Sequence, residues 1–252
     1  MNTLITGASS GIGEAIALEC ARRGDTLFLC GRDKSRLDSV VERCCNLGAK
    51  AYGEVVDISD SESVKKWMSN ADSIAPVERV FANAGIATGK ETPENIRRTV
   101  EINVTGTMNT VLGSLDLFFR DVPERTIKQI IITSSIAGYG PLKSCPTYSA
   151  TKSFLKTWGL SLRGMLAKDG IRVNVICPGF VKSRITDVNT CPMPFFMQAD
   201  EAAKIILSRV EANVALIAFP WPMRLASWAL SIMPAWMNEI INRILPGKVA
   251  ER

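Results

Sequence analysis

Short apolar runs recur along the chain, separated by longer segments in which apolar and polar residues mix at helical spacing. The runs at 4–6, 26–30, 51–56, 79–82, 129–133, 172–176 and 215–219 read as strands. Helices fill most of the gaps between them. Segment 14–23 stops before Gly24 and segment 35–47 before Gly48, each glycine suiting the left-handed residue that ends a helix. Asp60, Ser61, Glu62 and Ser63 read as a helix start with an acidic first turn, and Asp200 as the cap of a helix running to about 211. Strands alternating with helices predict an α/β fold: a single-domain, doubly wound parallel sheet of about seven strands, flanked by helices. In that architecture the ligand crevice lies at the carboxyl ends of the strands. A length of 252 residues fits one such domain over 1–252, and no internal repeat, low-complexity tract or long linker divides it.

Two stretches depart from the alternation. Within 180–200 the loop after Phe180 carries Met193, Pro194, Phe195, Phe196 and Met197, which suits a lid over a hydrophobic substrate or packing against the carboxyl-terminal region. Arg184 reads first as a solvated cation and second as a group that could meet an acidic substrate. The second stretch, 221–252, is apolar and rich in tryptophan: Trp221, Trp228 and Trp236 are three of the chain's 5 tryptophans. The run 225–237 is broken by Pro234 and edged by Arg224 and Glu239, so it is too short to span a bilayer. Two short apolar helices here suit a pocket cap first, then a homo-oligomer contact or a peripheral membrane contact through 221–245.

Composition narrows the function classes. A hydrophobic fraction of 46% supports a substantial core, and a net charge of +5 from scattered basic residues implies no nucleic-acid partner. The 7 cysteines are odd in number and form no C-x-x-C pair, which favours a reducing compartment over a disulfide framework. Met1 stands almost directly on the first predicted strand, so no secretory leader is expected and the location reads as cytoplasmic. The absence of histidine excludes the usual zinc sites and serine–histidine catalysis, and no metal is expected.

Acid–base chemistry must then fall to another residue type. Tyr148 and Lys152 lie four residues apart, on one face of a helix, where a cation favours the phenolate over the phenol. Far upstream, Gly7, Ala8, Ser9, Ser10, Gly11, Ile12 and Gly13 follow a strand and open a helix, a turn whose free N–H groups and positive dipole end suit a pyrophosphate. Its spacing, G-x-x-x-G-x-G, differs from the G-x-G-x-x-G dinucleotide fingerprint.

Together these residues resemble the short-chain dehydrogenase/reductase family, in its branch of about this chain length. Asp57 after Val55 and Val56, the Asn83-Ala84-Gly85 turn, Asn103, Ser135 thirteen residues before Tyr148, and Pro178-Gly179 all match its motifs in order over residues 3–183. The resemblance implies a Rossmann-type NAD(P)-binding domain and hydride transfer between a nicotinamide and a carbonyl or alcohol group. It implies that Ser135 contacts the substrate oxygen, Tyr148 supplies the proton, Lys152 tunes the tyrosine and holds the nicotinamide ribose, and Asn103 anchors a relay water. The cofactor set it implies comprises Gly7, Ser9, Ser10, Gly11, Ile12, Gly13, Arg32, Asp57, Asn83, Gly85, Tyr148, Lys152, Pro178, Gly179, Val181 and Ser183. Ser183 stands where the family usually has threonine, so a hydroxyl is kept.

Charge after the second strand selects between cofactors. Gly31 occupies the place of the acid that would bind the ribose hydroxyls of NAD, and Arg32 beside it suits the 2′-phosphate of NADP, with Asp33 leaving NAD as second choice. The substrate expected is a small, apolar carbonyl compound or alcohol. The family's habit of pairing through the Tyr148 helix implies a homodimer or homotetramer, with Phe154, Trp158 and Leu162 lining either such a contact or, on the same spacing, an ordinary buried face. The alternative function is a non-catalytic NADP(H)-binding redox sensor or partner-binding protein. A nucleotide-sugar epimerase or dehydratase would need a longer substrate domain.

Overall fold

The computed structural model describes residues 1–187 and 192–244. Seven parallel strands form one sheet: β1 (Asn2–Thr6), β2 (Thr26–Gly31), β3 (Lys50–Val55), β4 (Arg79–Ala82), β5 (Gln129–Thr133), β6 (Arg172–Pro178) and β7 (Leu216–Phe219). Their order across the sheet is β3-β2-β1-β4-β5-β6-β7, so the chain reverses direction of travel between β1 and β4. That reversal opens a crevice above the carboxyl edge. Between the strands run α1 (Gly11–Arg22), α2 (Lys34–Asn46), α3 (Ser61–Ile74), α4 (Pro93–Val100), α5 (Thr107–Phe118) and α6 (Pro146–Leu166). Beyond β6 follow α7 (Arg184–Asp187), α8 (Ala199–Glu211), α9 (Trp221–Ile232) and α10 (Ala235–Ile244).

The central strands are apolar and buried because helices cover both faces. Ile16, Leu37 and Ile206 pack one face with α1, α2 and α8. Val64, Val111 and Leu155 pack the other with α3, α5 and α6. Each such side chain contributes about 1.5–3 kcal/mol on burial, so the two layers together outweigh any single polar contact. The edge strand β3 is largely exposed and carries Lys50 and Glu54, charges that discourage pairing with another chain.

Gly24 and Gly48 end α1 and α2 with φ of +80° and +90°, as their positions in the sequence imply. Asp60 caps α3 by accepting hydrogen bonds from the Glu62 and Ser63 amides. The expected Asp200 cap is displaced: Gln198 is the N-cap of α8 and Asp200 lies in its first turn, where a carboxylate favours the helix dipole without capping it. Of the two readings for the α6 face, Leu162 takes the buried one, packed in the core beneath the helix. Phe154 and Trp158 on that helix stack on each other with ring centroids 5.8 Å apart. Pro234 separates α9 from α10 where the sequence placed the break, and no described helix is long and apolar enough to cross a membrane.

Candidate active site

The carboxyl ends of β1, β2, β4, β5 and β6 surround a cleft of about 510 Å³. At its first edge, β1 runs into the glycine turn. Gly7 (φ +68°) and Gly11 (φ +60°) take left-handed conformations that only glycine adopts without strain. A Cβ on Gly13 would run into the Gly7 carbonyl oxygen, and one on Gly11 would lie 2.9 Å from the Ser183 Cβ. The turn is therefore folded against β1 and against the loop after β6. Ser10 is the N-cap of α1 but makes no side-chain cap hydrogen bond, so the first amides of α1 remain available to a phosphate. Ser9, Ser10 and Ile12 line the cleft, while Gly11 and Gly13 shape it from behind.

Asn83 ties the strand ends together. Its main-chain N–H donates to Thr6 Oγ1 (3.0 Å), its Nδ2 to the Thr6 carbonyl (3.2 Å), and its Oδ1 accepts from Thr133 Oγ1 (3.3 Å). Asn83 and Gly85 line the cleft beside it. Asn103 does not line it. It is buried in a π-helical turn, Glu101–Gly106, and its amide accepts from Ile86 N (2.7 Å) while donating to the Ile86 carbonyl (2.9 Å) and Thr151 Oγ1 (3.2 Å). The side chain is thus spent on fixing the Gly85-Ile86 turn. Widened turns of this kind recur at functional sites.

Opposite the glycine turn, α6 presents Tyr148 and Lys152. Lys152 Nζ donates to the Thr133 carbonyl (2.9 Å) and stands 5.6 Å from the centre of the Tyr148 ring. Ser134 Oγ donates to the Lys152 carbonyl (2.7 Å), and Ser135 Oγ lies 3.5 Å from the Pro178 carbonyl while accepting from Ala137 N (3.1 Å). A Cβ on Gly138 would come within 2.6 Å of the Lys152 carbonyl carbon, so the short turn Ile136–Tyr139 presses directly on α6. Burial pushes the Tyr148 phenol up to about 12, with a hydrogen bond to Ser135 pulling the other way. Burial also brings the Lys152 amine down to about 8. The sequence anticipates an ammonium that lowers the tyrosine. In this cleft desolvation is the dominant influence on both groups.

The far end of the cleft is polar. Gly31, Arg32, Asp33 and Arg36 line it together with Asp57. A Cβ on Gly31 would sit 2.8 Å from Ser9 Oγ, leaving no room for an acidic side chain there. Arg36 Nη2 pairs with Asp33 Oδ2 (2.8 Å), and its Nε is buried with no hydrogen-bond partner among the described residues. The Asp57 carboxyl accepts from Ser59 N (3.0 Å) and Ser59 Oγ (2.7 Å), which hold it below the usual carboxylate range with a smaller effect from Arg32. Beyond β6, Pro178, Gly179, Val181 and Ser183 line the cleft as expected. Thr186 Oγ1, buried, accepts from Ser183 N (2.8 Å) and lies 3.0 Å from the Val181 carbonyl, so it pins the loop.

Arg36, Thr133, Ser134 and Thr186 escape the sequence reading. Arg36 carries a signal in its place, in the first turn of the helix that opens just after Arg32, while the hydroxyls act through contacts that no local pattern encodes. Neither α9 nor α10 contributes to the lining of this cleft, although Met223 of α9 reaches Gly179. Phe195 and Phe196 are exposed and lie outside the lining, and residues 188–191 of the same loop fall outside the described residues.

A doubly wound sheet with a glycine-rich turn at its switch point, facing a serine, a tyrosine and a lysine, defines a Rossmann-type α/β fold. Comparison with known proteins agrees: a sequence profile described as short chain dehydrogenase matches residues 1–191, and the chain belongs to that family. An oxidoreductase of Myxococcus xanthus is 33% identical over 236 residues, covering 92% of each chain. Serine 3-dehydrogenase of Rhizobium radiobacter is 32% identical over 74% of each. Among solved structures, a short-chain dehydrogenase from Sphingobium yanoikuyae in complex with NADPH superposes with a TM-score of 0.79 at 24% identity, covering 100% of this chain and 99% of that one. One from Burkholderia phymatum in complex with NAD gives 0.82 at 21%, covering 98% and 96%. At these identities the structural likeness speaks to the fold. The family membership makes the protein an oxidoreductase of the short-chain dehydrogenase kind, and no cluster of metal-ligating side chains occurs among the described residues.

Proposed function

We propose that this chain is an NADP(H)-dependent carbonyl reductase acting on a small, apolar substrate, with Tyr148 as the acid–base group. The observation that carries the reading is that Ser135, Tyr148 and Lys152 share one cleft with the glycine turn and with Arg32 and Arg36. The residues present fit a dinucleotide. The uncapped amides of α1 suit the pyrophosphate, Asp57 and Asn83 flank the path between the two ends, and Gly31 with Arg32 and Arg36 favours a 2′-phosphate over bare ribose hydroxyls. The spare Arg36 Nε adds a donor that an anionic oxygen would satisfy.

The bound cofactor would supply the hydride; the protein's share is proton delivery and alignment. With a pKa near 12, Tyr148 rests as the phenol at neutral pH and is ready to donate to a carbonyl oxygen. The phenol is the form that protonates the oxygen in the reducing direction. Ser135 gives that oxygen a second hydrogen bond, and Lys152, fixed by the Thr133 carbonyl, stabilises the phenolate left behind. Ile86, Ile102 and Ile185 give the cleft apolar wall for such an apolar substrate, with Arg98 and Arg184 also in the lining. Self-association through α6 is part of the same reading, with the half-exposed Phe154–Trp158 stack at the contact.

The test is a cofactor-consumption assay over a panel of aliphatic and aromatic aldehydes and ketones, run with NADPH and NADH. The reading expects NADPH oxidation with at least one apolar carbonyl. Binding of NADPH without consumption across the whole panel would favour the redox-sensor alternative.

A further inference from the structure

The two carboxyl-terminal helices bury the polar side chains Ser227 and Asn238 while leaving most of their large apolar side chains outside. Asn238, 7% exposed, turns its Nδ2 inward to the Leu230 and Met233 carbonyls (3.3 and 3.2 Å), and Asn242, one turn on, donates to the Pro141 carbonyl (2.8 Å) and accepts from Lys143 N (3.1 Å). Ser227 is buried on α9. The solvent face instead carries Trp221 (75% exposed), Leu225 (56%), Trp228 (53%) and Ile232 (62%) on α9, then Trp236 (63%) and Ile240 (49%) on α10. At 100° per residue the four on α9 fall within an arc of roughly 60°, so they form one stripe rather than scattered exposures. A domain that stays in water buries such a stripe and exposes its asparagines.

We infer that this face docks on an anionic lipid surface. Charge at its margin selects that occupant. Arg224 lies at the edge of the α9 stripe and Arg243 continues the α10 stripe, while Lys143 Nζ reaches the Arg243 carbonyl (3.1 Å) beside them. Among the described residues the carboxylate between them is Glu239, which pairs with Arg243 and offsets one of the three cations, leaving Arg224 and Lys143 as the net positive charge of the rim. Tryptophans at the boundary of an apolar face with cations at its rim match the headgroup level of a bilayer. The helices would lie in the interface without crossing it, each being short. A second copy of the chain would have to bring acidic groups to face these cations, and among the described residues this face offers the paired Glu239.

Flotation with vesicles of phosphatidylcholine containing about one third phosphatidylglycerol, compared with phosphatidylcholine alone, reads the claim directly. The intact chain is expected to float with the anionic vesicles, with blue-shifted tryptophan emission that brominated phosphatidylcholine quenches. Trp228→Glu with Ile232→Glu should abolish flotation at unchanged melting temperature. Arg224→Gln with Arg243→Gln should keep the fold and weaken anionic-vesicle affinity by about tenfold. Should the double glutamate variant fold poorly, quenching of the intact protein still decides. An intact chain that neither floats nor is quenched overturns the inference. So does light scattering that finds a dimer dissolved by Trp228→Glu and Ile232→Glu, with no vesicle binding, because a second copy would then cover the face.

Discussion

Lys152 and Tyr148 titrate away from their ordinary values in opposite senses, and both shifts come first from burial. The lysine has a folded value of about 8 against 10.5 when free, so between those limits the unfolded chain binds the extra proton. Stability linked to Lys152 therefore rises as pH climbs through that window. The tyrosine, about 12 against 10.0, keeps its proton only in the folded state, and its linked stability falls above pH 10. Thermal melting of wild type against Lys152→Met across pH 7 to 10 should show the wild type gaining on the variant above pH 8. Activity has the opposite slope. The ammonium is the useful form, so kcat/KM for carbonyl reduction should hold below about pH 8 and decline above it, and a flat profile would remove Lys152 from the proton step. At the other end of the cleft, Arg32→Ala and Arg36→Ala should each raise the Kd for NADPH by about tenfold or more, while leaving NADH within a factor of about two. Equal losses for both cofactors would refute the phosphate assignment.

Elements hold these side chains in place through close contacts rather than through propensity. The turn Ile136–Tyr139 touches α6 at Gly138, where a methyl group would lie 2.6 Å from backbone carbon of Lys152 and neither side can yield cheaply. Gly138→Ala should displace the segment of α6 that bears Tyr148 and Lys152, lowering kcat far more than it weakens NADPH binding, as steady-state kinetics and a binding titration would show. Asn103→Ala strips the Ile86 N–H and carbonyl of their partners, each costing about 1–3 kcal/mol when buried, so chemical unfolding should register a loss of about 2–4 kcal/mol. Much of this level was legible in the sequence. The apolar runs located all seven strands to within two residues, the central ones because parallel strands covered on both faces are apolar throughout, whereas the exposed edge strand β3 gave a weaker signal. Gly24, Gly48 and Asp60 marked helix ends because their roles are local. The π-helical turn around Asn103 and the Gln198 cap were not legible, because tertiary contacts rather than neighbouring residues decide them.

Across the whole molecule, one sheet collects residues from position 7 to position 186 at a single edge. The pairing of glycine turn, serine, tyrosine and lysine could be read as a set from their order along the chain, and the cleft unites them. What sequence could not supply was orientation. The tryptophans of α9 and α10, grouped with a pocket cap by composition alone, point into solvent, while Met223 and Leu230 make the inward contacts with Gly179 and Gly140. Periodicity gives the stripe but not which side of the helix meets the protein. The most direct measurement for the whole reading takes wild type and Tyr148→Phe side by side, recording NADPH affinity by fluorescence and NADPH oxidation with the best carbonyl compound of the panel. The phenyl ring should leave affinity within a factor of about three and cut turnover by about a thousandfold or more. Turnover that survives the loss of the hydroxyl would contradict Tyr148 as the proton donor.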